Sequence, residues 1–146
     1  MMSLVLGLLI SPMALDSDLL GSWRYAEYSY QGHTQPIPDP TLDLRFSFTD
    51  DQKVKLRWSR DNPAVFCERD AEFQTEDGWL EQKVVWVHPG NQPNCDEDTD
   101  MQLGHVTKTQ YKIQGSQLFL YLELSGEPFI YILNRVPNSS GFERNL

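Results

Sequence analysis

The sequence predicts an all-β protein built as an eight-stranded antiparallel up-and-down β-barrel. Three observations predict it. From Trp23 onward apolar and polar residues alternate with period two, and no window carries the period of an amphipathic helix. Eight strand-like runs follow one another, separated by turn-forming residues. The first six links between them alternate long and tight, which places long loops at one end of the molecule and hairpin turns at the other.

The elements follow in order. Residues 23–30 form an aromatic first strand. In residues 41–49, Leu42, Leu44, Phe46 and Phe48 share one face and Asp43, Arg45 and Ser47 the other. Asp50, Asp51 and Gln52 turn the chain into a third strand, where Val54, Leu56 and Trp58 face inward and Lys53, Lys55 and Arg57 face water. Residues 66–75 carry Cys67, Arg69, Ala71 and Phe73 on one side and Glu68, Asp70 and Glu72 on the other, so Arg69 lies inside or on a bulged strand. Glu76, Asp77 and Gly78 turn into residues 79–88, which include Trp86. A polar loop leads to residues 101–113, Gln114 to Ser116 turn into 117–124, and Ser125 to Glu127 turn into 129–136.

An open sheet of eight strands would leave unpaired edges, and closure removes them. The links 31–40, 59–65 and 89–100 then rim a mouth, and the tight turns close the base. An eight-stranded interior is either filled by side chains or holds one small ligand. Its expected lining is Leu42, Leu44, Phe46, Phe48, Val54, Leu56, Trp58 and Trp86.

At 146 residues the chain has the length of one domain, assigned here to residues 15–146. Residues 1–14 are uncharged, with an apolar run from Leu4 to Ile10 that is too short to span a bilayer. They read as a signal peptide cut near Ala14, which implies a periplasmic or secreted protein, or as an N-terminal arm packed on the barrel. Cys67 and Cys95 are the only cysteines, and an exported chain would join them in a disulfide at the mouth. A net charge of −9 opposes binding to phosphate backbones and anionic membranes, so no nucleic-acid partner is expected.

Leu20, Gly21, Ser22 and Trp23, the alternating hairpin of residues 41–58, and the run Tyr111 to Leu118 resemble the bacterial lipocalin-like domains of the calycin superfamily. The resemblance is a sparse pattern over residues 20–136. It implies that Trp23, following Gly21, packs at the closed end of the barrel and that Arg135 lies across it. It also implies carriage of a small molecule. Typical lipocalins follow the barrel with a helix, whereas residues 137–146 contain Pro, Asn, Ser and Gly breakers, so no C-terminal helix is expected. Pro36, Pro38 and Pro40 likewise disfavour the helix pair of the fatty-acid-binding variant.

The function this predicts is non-catalytic binding of a small apolar ligand, without a cofactor. Two alternatives stand beside it: a protein-binding module or inhibitor that grips its target with the mouth loops, and a calycin-type enzyme using His33 or His88 with a loop carboxylate. No nucleophile elbow, zinc-protease helix or phosphate-binding glycine loop is present. Asp96, Glu97, Asp98 and Asp100 crowd one loop but fail the EF-hand pattern, because Met101 stands at its glycine position and Thr107 at its glutamate position. They read as a solvated acidic loop. The last two strands are apolar on both faces, so the outer strip is expected to be covered, most simply in a homodimer.

Overall fold

Period-two alternation becomes strand pairing throughout the computed structural model, which describes residues 15–137. The strands are β1 (Gly21–Tyr30), β2 (His33–Pro36), β3 (Asp43–Phe48), β4 (Lys53–Ser59), β5 (Phe66–Glu76), β6 (Trp79–Val87), β7 (Val106–Gln114), β8 (Gln117–Leu124) and β9 (Glu127–Arg135). All neighbours are antiparallel, in the order β2-β1-β3-β4-β5-β6-β7-β8-β9, and β1 also pairs with β9. Eight strands therefore form a closed barrel. Among the described residues no helix is long and apolar enough to cross a membrane. The proposed leader or arm, residues 1–14, lies outside the described residues, as do residues 138–146.

The ninth strand, β2, falls inside what the sequence presents as a loop. Gln31 and Gly32 both have positive φ (51° and 78°), the backbone of a two-residue hairpin turn. They fold His33–Pro36 back on the outer half of β1, pairing Tyr30 with His33 and Glu27 with Pro36. Strand β2 is exposed throughout, so it has no apolar alternation to reveal it. The inner half of β1 pairs instead with β3, Gly21 opposite Phe48 and Arg24 opposite Arg45.

Two further differences have local causes. Residues 101–105, expected to begin a strand, form the end of a loop in which two short 3-10 turns, Pro93–Glu97 and Thr99–Met101, carry Cys95 and Met101 into the core. Trp86, expected inside, faces outward. Asp70 pairs with Trp86 and the next residue, Ala71, with Val84, so Val85 is an extra residue that bulges β6 and reverses its facing. Asp70 also pairs with exposed Lys55 on the outer face, and Trp86 is accordingly 40% exposed. Leu42 is half-buried and lies just before β3.

The base half is solid. Leu19, Trp23, Phe48, Val54, Phe73, Leu80, Leu118 and Leu133 are each at most 2% exposed and form one cluster. Complete burial of such side chains stabilises by about 1.5–3 kcal/mol apiece before entropy is subtracted.

Candidate functional site

The interior is layered from base to mouth, and the layering decides where a ligand fits. At the base, Trp23 is fully buried and its indole N–H donates to the Leu19 carbonyl at 2.9 Å. The Arg135 guanidinium lies 4.1 Å from the centre of the Trp23 ring and donates to the carbonyls of Leu20 (2.8 Å) and Asp18 (2.6 Å). Gly21 has φ +115°, and a Cβ there would stand 3.0 Å from Arg135 Nη1. Only glycine allows that close approach.

The middle layer is polar. Arg69 is 2% exposed and points inward from β5. It donates to the Val54 carbonyl (3.3 Å), the Gln82 side-chain oxygen (2.9 Å) and the Asp100 carbonyl (3.1 Å). Burial draws its pKa down to about 10, opposed by the charges of Asp100, Asp70 and Asp98. Met101, 1% exposed, packs in from the loop above. The Cys67–Cys95 disulfide, with Cα atoms 5.6 Å apart, ties that loop to β5.

Above this layer the inward side chains are only half-buried. They are Tyr28 of β1, Leu44 of β3, Trp58 of β4, Thr107 and Thr109 of β7, Leu122 of β8, and Phe129 and Tyr131 of β9. Register fixes their facing: Leu44 is opposite Trp58, Leu122 opposite Phe129, and Tyr28 opposite Tyr131. An irregularity between Tyr25 and Glu27 lets Tyr25, Tyr28 and Tyr30 all point inward. Tyr28 stacks on Phe129 with ring centres 5.3 Å apart, and Phe129 also meets Tyr30 (5.9 Å) and Tyr131 (5.3 Å). Tyr25 lies 4.5 Å from Tyr131. The result is a bowl walled by aromatic rings and open toward the mouth.

The structure thus sorts the expected lining residues. Phe46, Phe48, Val54 and Leu56 are buried in the lower core, Leu44 and Trp58 reach the bowl, Leu42 lies at its rim, and Trp86 is outside. Six of the eight bowl residues, among them Tyr28, Phe129 and Tyr131, were not named in that set. The last two strands are apolar on both faces, so alternation alone left their facing open, and pairing of β9 with β1 decides it.

The rim is acidic. The Asp98 side chain accepts from the Asp100 backbone N–H at 3.0 Å. Burial, then the charge of Asp98, raises the Asp100 pKa, while Arg69 and His105 oppose the rise. Tyr131 is likewise raised, chiefly by burial and then by the charges of Asp100 and Asp98. His33 is exposed on β2, and the His88 ring sits 4.9 Å from Phe66 with Nδ1 accepting from the Gly90 N–H at 2.8 Å. Among the described residues, no three His, Cys, Asp or Glu side chains gather as metal ligands.

Outside the barrel, β7 and β8 pair only from Gln110 opposite Tyr121 to Gln114 opposite Gln117, so their mouth halves part. A groove of about 490 Å³ opens there, lined outside by Trp79, Lys108, Tyr121 and Glu123 and reaching Thr109 and Leu122 of the inward set. The outer strip of β8 and β9 is narrower than its composition suggests, because Ile132 is only 5% exposed, flanked by Phe119 and Glu27.

No protein-family model matches the chain. No curated protein sequence matches it. Among solved structures, it is similar to fatty-acid-binding protein 1 of Echinococcus granulosus at 12% identity, covering 82% of this chain and 98% of that one, with a TM-score of 0.42. It is also similar to a biogenic amine-binding protein at 13% identity, covering 90% and 72%, with a TM-score of 0.41. A third is the amine binding protein of Rhodnius prolixus, solved as its tryptamine complex, at 15% identity over 82% and 64%, with a TM-score of 0.41. At these values the similarity says nothing about what the bowl holds.

Proposed function

We propose that this chain is a lipocalin-like carrier that holds one small, largely apolar molecule in the aromatic bowl. The observation that carries the reading is the change in burial along the barrel axis. Below Arg69 the interior is filled, and above it Tyr28, Leu44, Trp58, Phe129 and Tyr131 remain partly accessible while facing inward. Covering those rings with an apolar ligand removes their area from water at about 25 cal/mol per Å². An oxidised Cys67–Cys95 pair fits an exported, periplasmic or secreted setting.

Fluorescence titration with N-phenyl-1-naphthylamine, a neutral apolar dye, tests the proposal. The expected result is saturable one-to-one binding, weakened roughly three- to tenfold by Phe129→Ala or Tyr28→Ala and unchanged by Tyr121→Ala. Binding that follows Tyr121 and ignores Phe129 would move the site to the outer groove. Self-association through β8 and β9 is a separate proposal, favoured by Tyr121 at 39% exposure beside half-buried Phe119 and Ile130. Light scattering of wild type and Tyr121→Glu checks it, with a dimer that dissociates in the variant as the expected outcome.

A further inference from the structure

We infer that the cargo is an extended peptide, which lays its main chain in the slit between β7 and β8 and passes an aromatic side chain through it into the bowl. This rests on the carrier reading and deepens it by naming the chemistry of the molecule carried.

The slit is a break in an otherwise closed wall. Strand β7 stays paired with β6 as far as Val106 opposite Lys83, and β8 stays paired with β9 as far as Leu124 opposite Glu127. Between β7 and β8, however, the pairs end at Gln110 opposite Tyr121. The phase of the ladders shows which main-chain groups this leaves bare. The Tyr111 N–H donates to the Gly78 carbonyl (2.9 Å) and the Val84 N–H to the His105 carbonyl (3.0 Å). Odd-numbered residues of β7 therefore bond to β6, and the main chains of Val106 and Lys108 point into the slit. On the far side the Arg135 N–H donates to the Ser116 carbonyl (2.8 Å), so even-numbered residues of β8 bond to β9 and Glu123 points into the slit as well. Val106, Lys108 and Glu123 have no strand partner across it among the described residues.

Facing donors and acceptors select the occupant. A hydrocarbon chain lying there would strip water from these groups and return no hydrogen bond, whereas an extended peptide replaces the water with ladder bonds. Residues 106–109 span about 13 Å, room for a few residues of extended chain. Side chains of that chain would alternate. Those beside Thr107 and Thr109 enter the bowl, and those beside Val106 and Lys108 lie outside against Trp79 and Tyr121, which are 37% and 39% exposed. The groove joins the two sets, since Thr109 and Leu122 line it together with Trp79 and Tyr121. A second copy of this barrel fits less well. Its one strand with a single neighbour is β2, which offers one free edge to a slit that has two.

Calorimetric titration of the full chain with a capped peptide of alternating threonine and phenylalanine tests this. Lys108→Pro removes an N–H that faces the slit and spares the ladder to β6, while Lys108→Ala removes the same side chain and keeps the N–H. The proline variant is expected to bind the peptide about tenfold more weakly than the alanine variant, with the two binding N-phenyl-1-naphthylamine within about twofold of each other. In the wild type the peptide should displace the dye and slow amide hydrogen exchange at Val106, Lys108 and Glu123. Equal peptide binding by the two variants overturns the inference. So does a dimer in light scattering that Lys108→Pro dissociates and Lys108→Ala does not, which would give the bare edge to a second copy. If the dye binds and the peptide does not, the peptide falls while the carrier reading stands. If neither binds, both fall.

Discussion

Replacing the disulfide cysteines gives a prediction whose size follows from the structure. Cys67 and Cys95 are 0% and 3% exposed and 28 residues apart in sequence, so their bond closes a ring that includes all of β6 and its preceding turn. Opening a ring of that length frees denatured-chain entropy worth about 3.6 kcal/mol. Unfolding entropy at the midpoint is about 2.1 cal/mol/K per residue, so the Cys67→Ala/Cys95→Ala variant should melt roughly 12 °C below the wild type. The folded state should survive, because the loop has other tethers. Asn91 exchanges hydrogen bonds with the Glu68 backbone (2.8 and 3.0 Å), Arg69 holds the Asp100 carbonyl, and the Gly104 N–H donates to Val84 (2.8 Å). Scanning calorimetry with near-UV circular dichroism measures both effects. A shift smaller than about 3 °C would refute the entropic account. Loss of the near-UV signal at room temperature would show that the remaining tethers do not hold the loop.

Other outcomes follow from single residues. Gly21→Ala combines an unfavourable φ with a 3.0 Å contact to Arg135, whereas Gly32→Ala meets nothing within 4 Å; urea unfolding should show the first costing about 1–2 kcal/mol more than the second. Arg135→Met, which keeps much of the stem but not the hydrogen bonds to Asp18 and Leu20, should expose the base and shift Trp23 fluorescence to the red. Asp100 is raised in the folded state, so its contribution to stability is present below the unfolded value near 3.8 and lost as pH rises through the folded value. Asp100→Asn should therefore be more stable than wild type at pH 7, with the advantage fading toward pH 3.5 in paired urea melts. Asp43 has the opposite sign: its hydrogen bond from Arg45, with the charges of Arg45 and Arg24, lowers it, so Asp43→Asn should lose stability at pH 7 and converge with wild type in acid.

The barrel was readable because its signals are local. The alternation of Leu44, Phe46 and Phe48 against Asp43, Arg45 and Ser47, and of Val54, Leu56 and Trp58 against charged neighbours, specifies which face is buried whatever the partner strand. Arg69 broke the pattern of its strand, which left it inside or on a bulge, and its three acceptors explain how it is held inside. What stayed hidden depends on partners far away in sequence or on one-residue shifts. The bulge at Val85 turned Trp86 outward although the local alternation is unbroken, and the β1 irregularity brought Tyr28 into line with Tyr131. Met101 sits in a loop whose acidic neighbours hide its burial, and β2 has only exposed residues to display. Within the candidate site, Leu44 and Trp58 follow from alternation, while Tyr28, Phe129 and Tyr131 need the closed β1–β9 pairing.

The central claim is that a filled base supports an open aromatic bowl, and the most direct measurement is an NMR footprint of N-phenyl-1-naphthylamine on aromatic and methyl resonances. Saturable perturbations are expected at Leu44, Trp58, Phe129 and Tyr131, with Trp23, Phe73 and Leu118 in the base and Trp79 and Tyr121 outside unmoved. Perturbations confined to Trp79 and Tyr121, or spread evenly through the base, would contradict it.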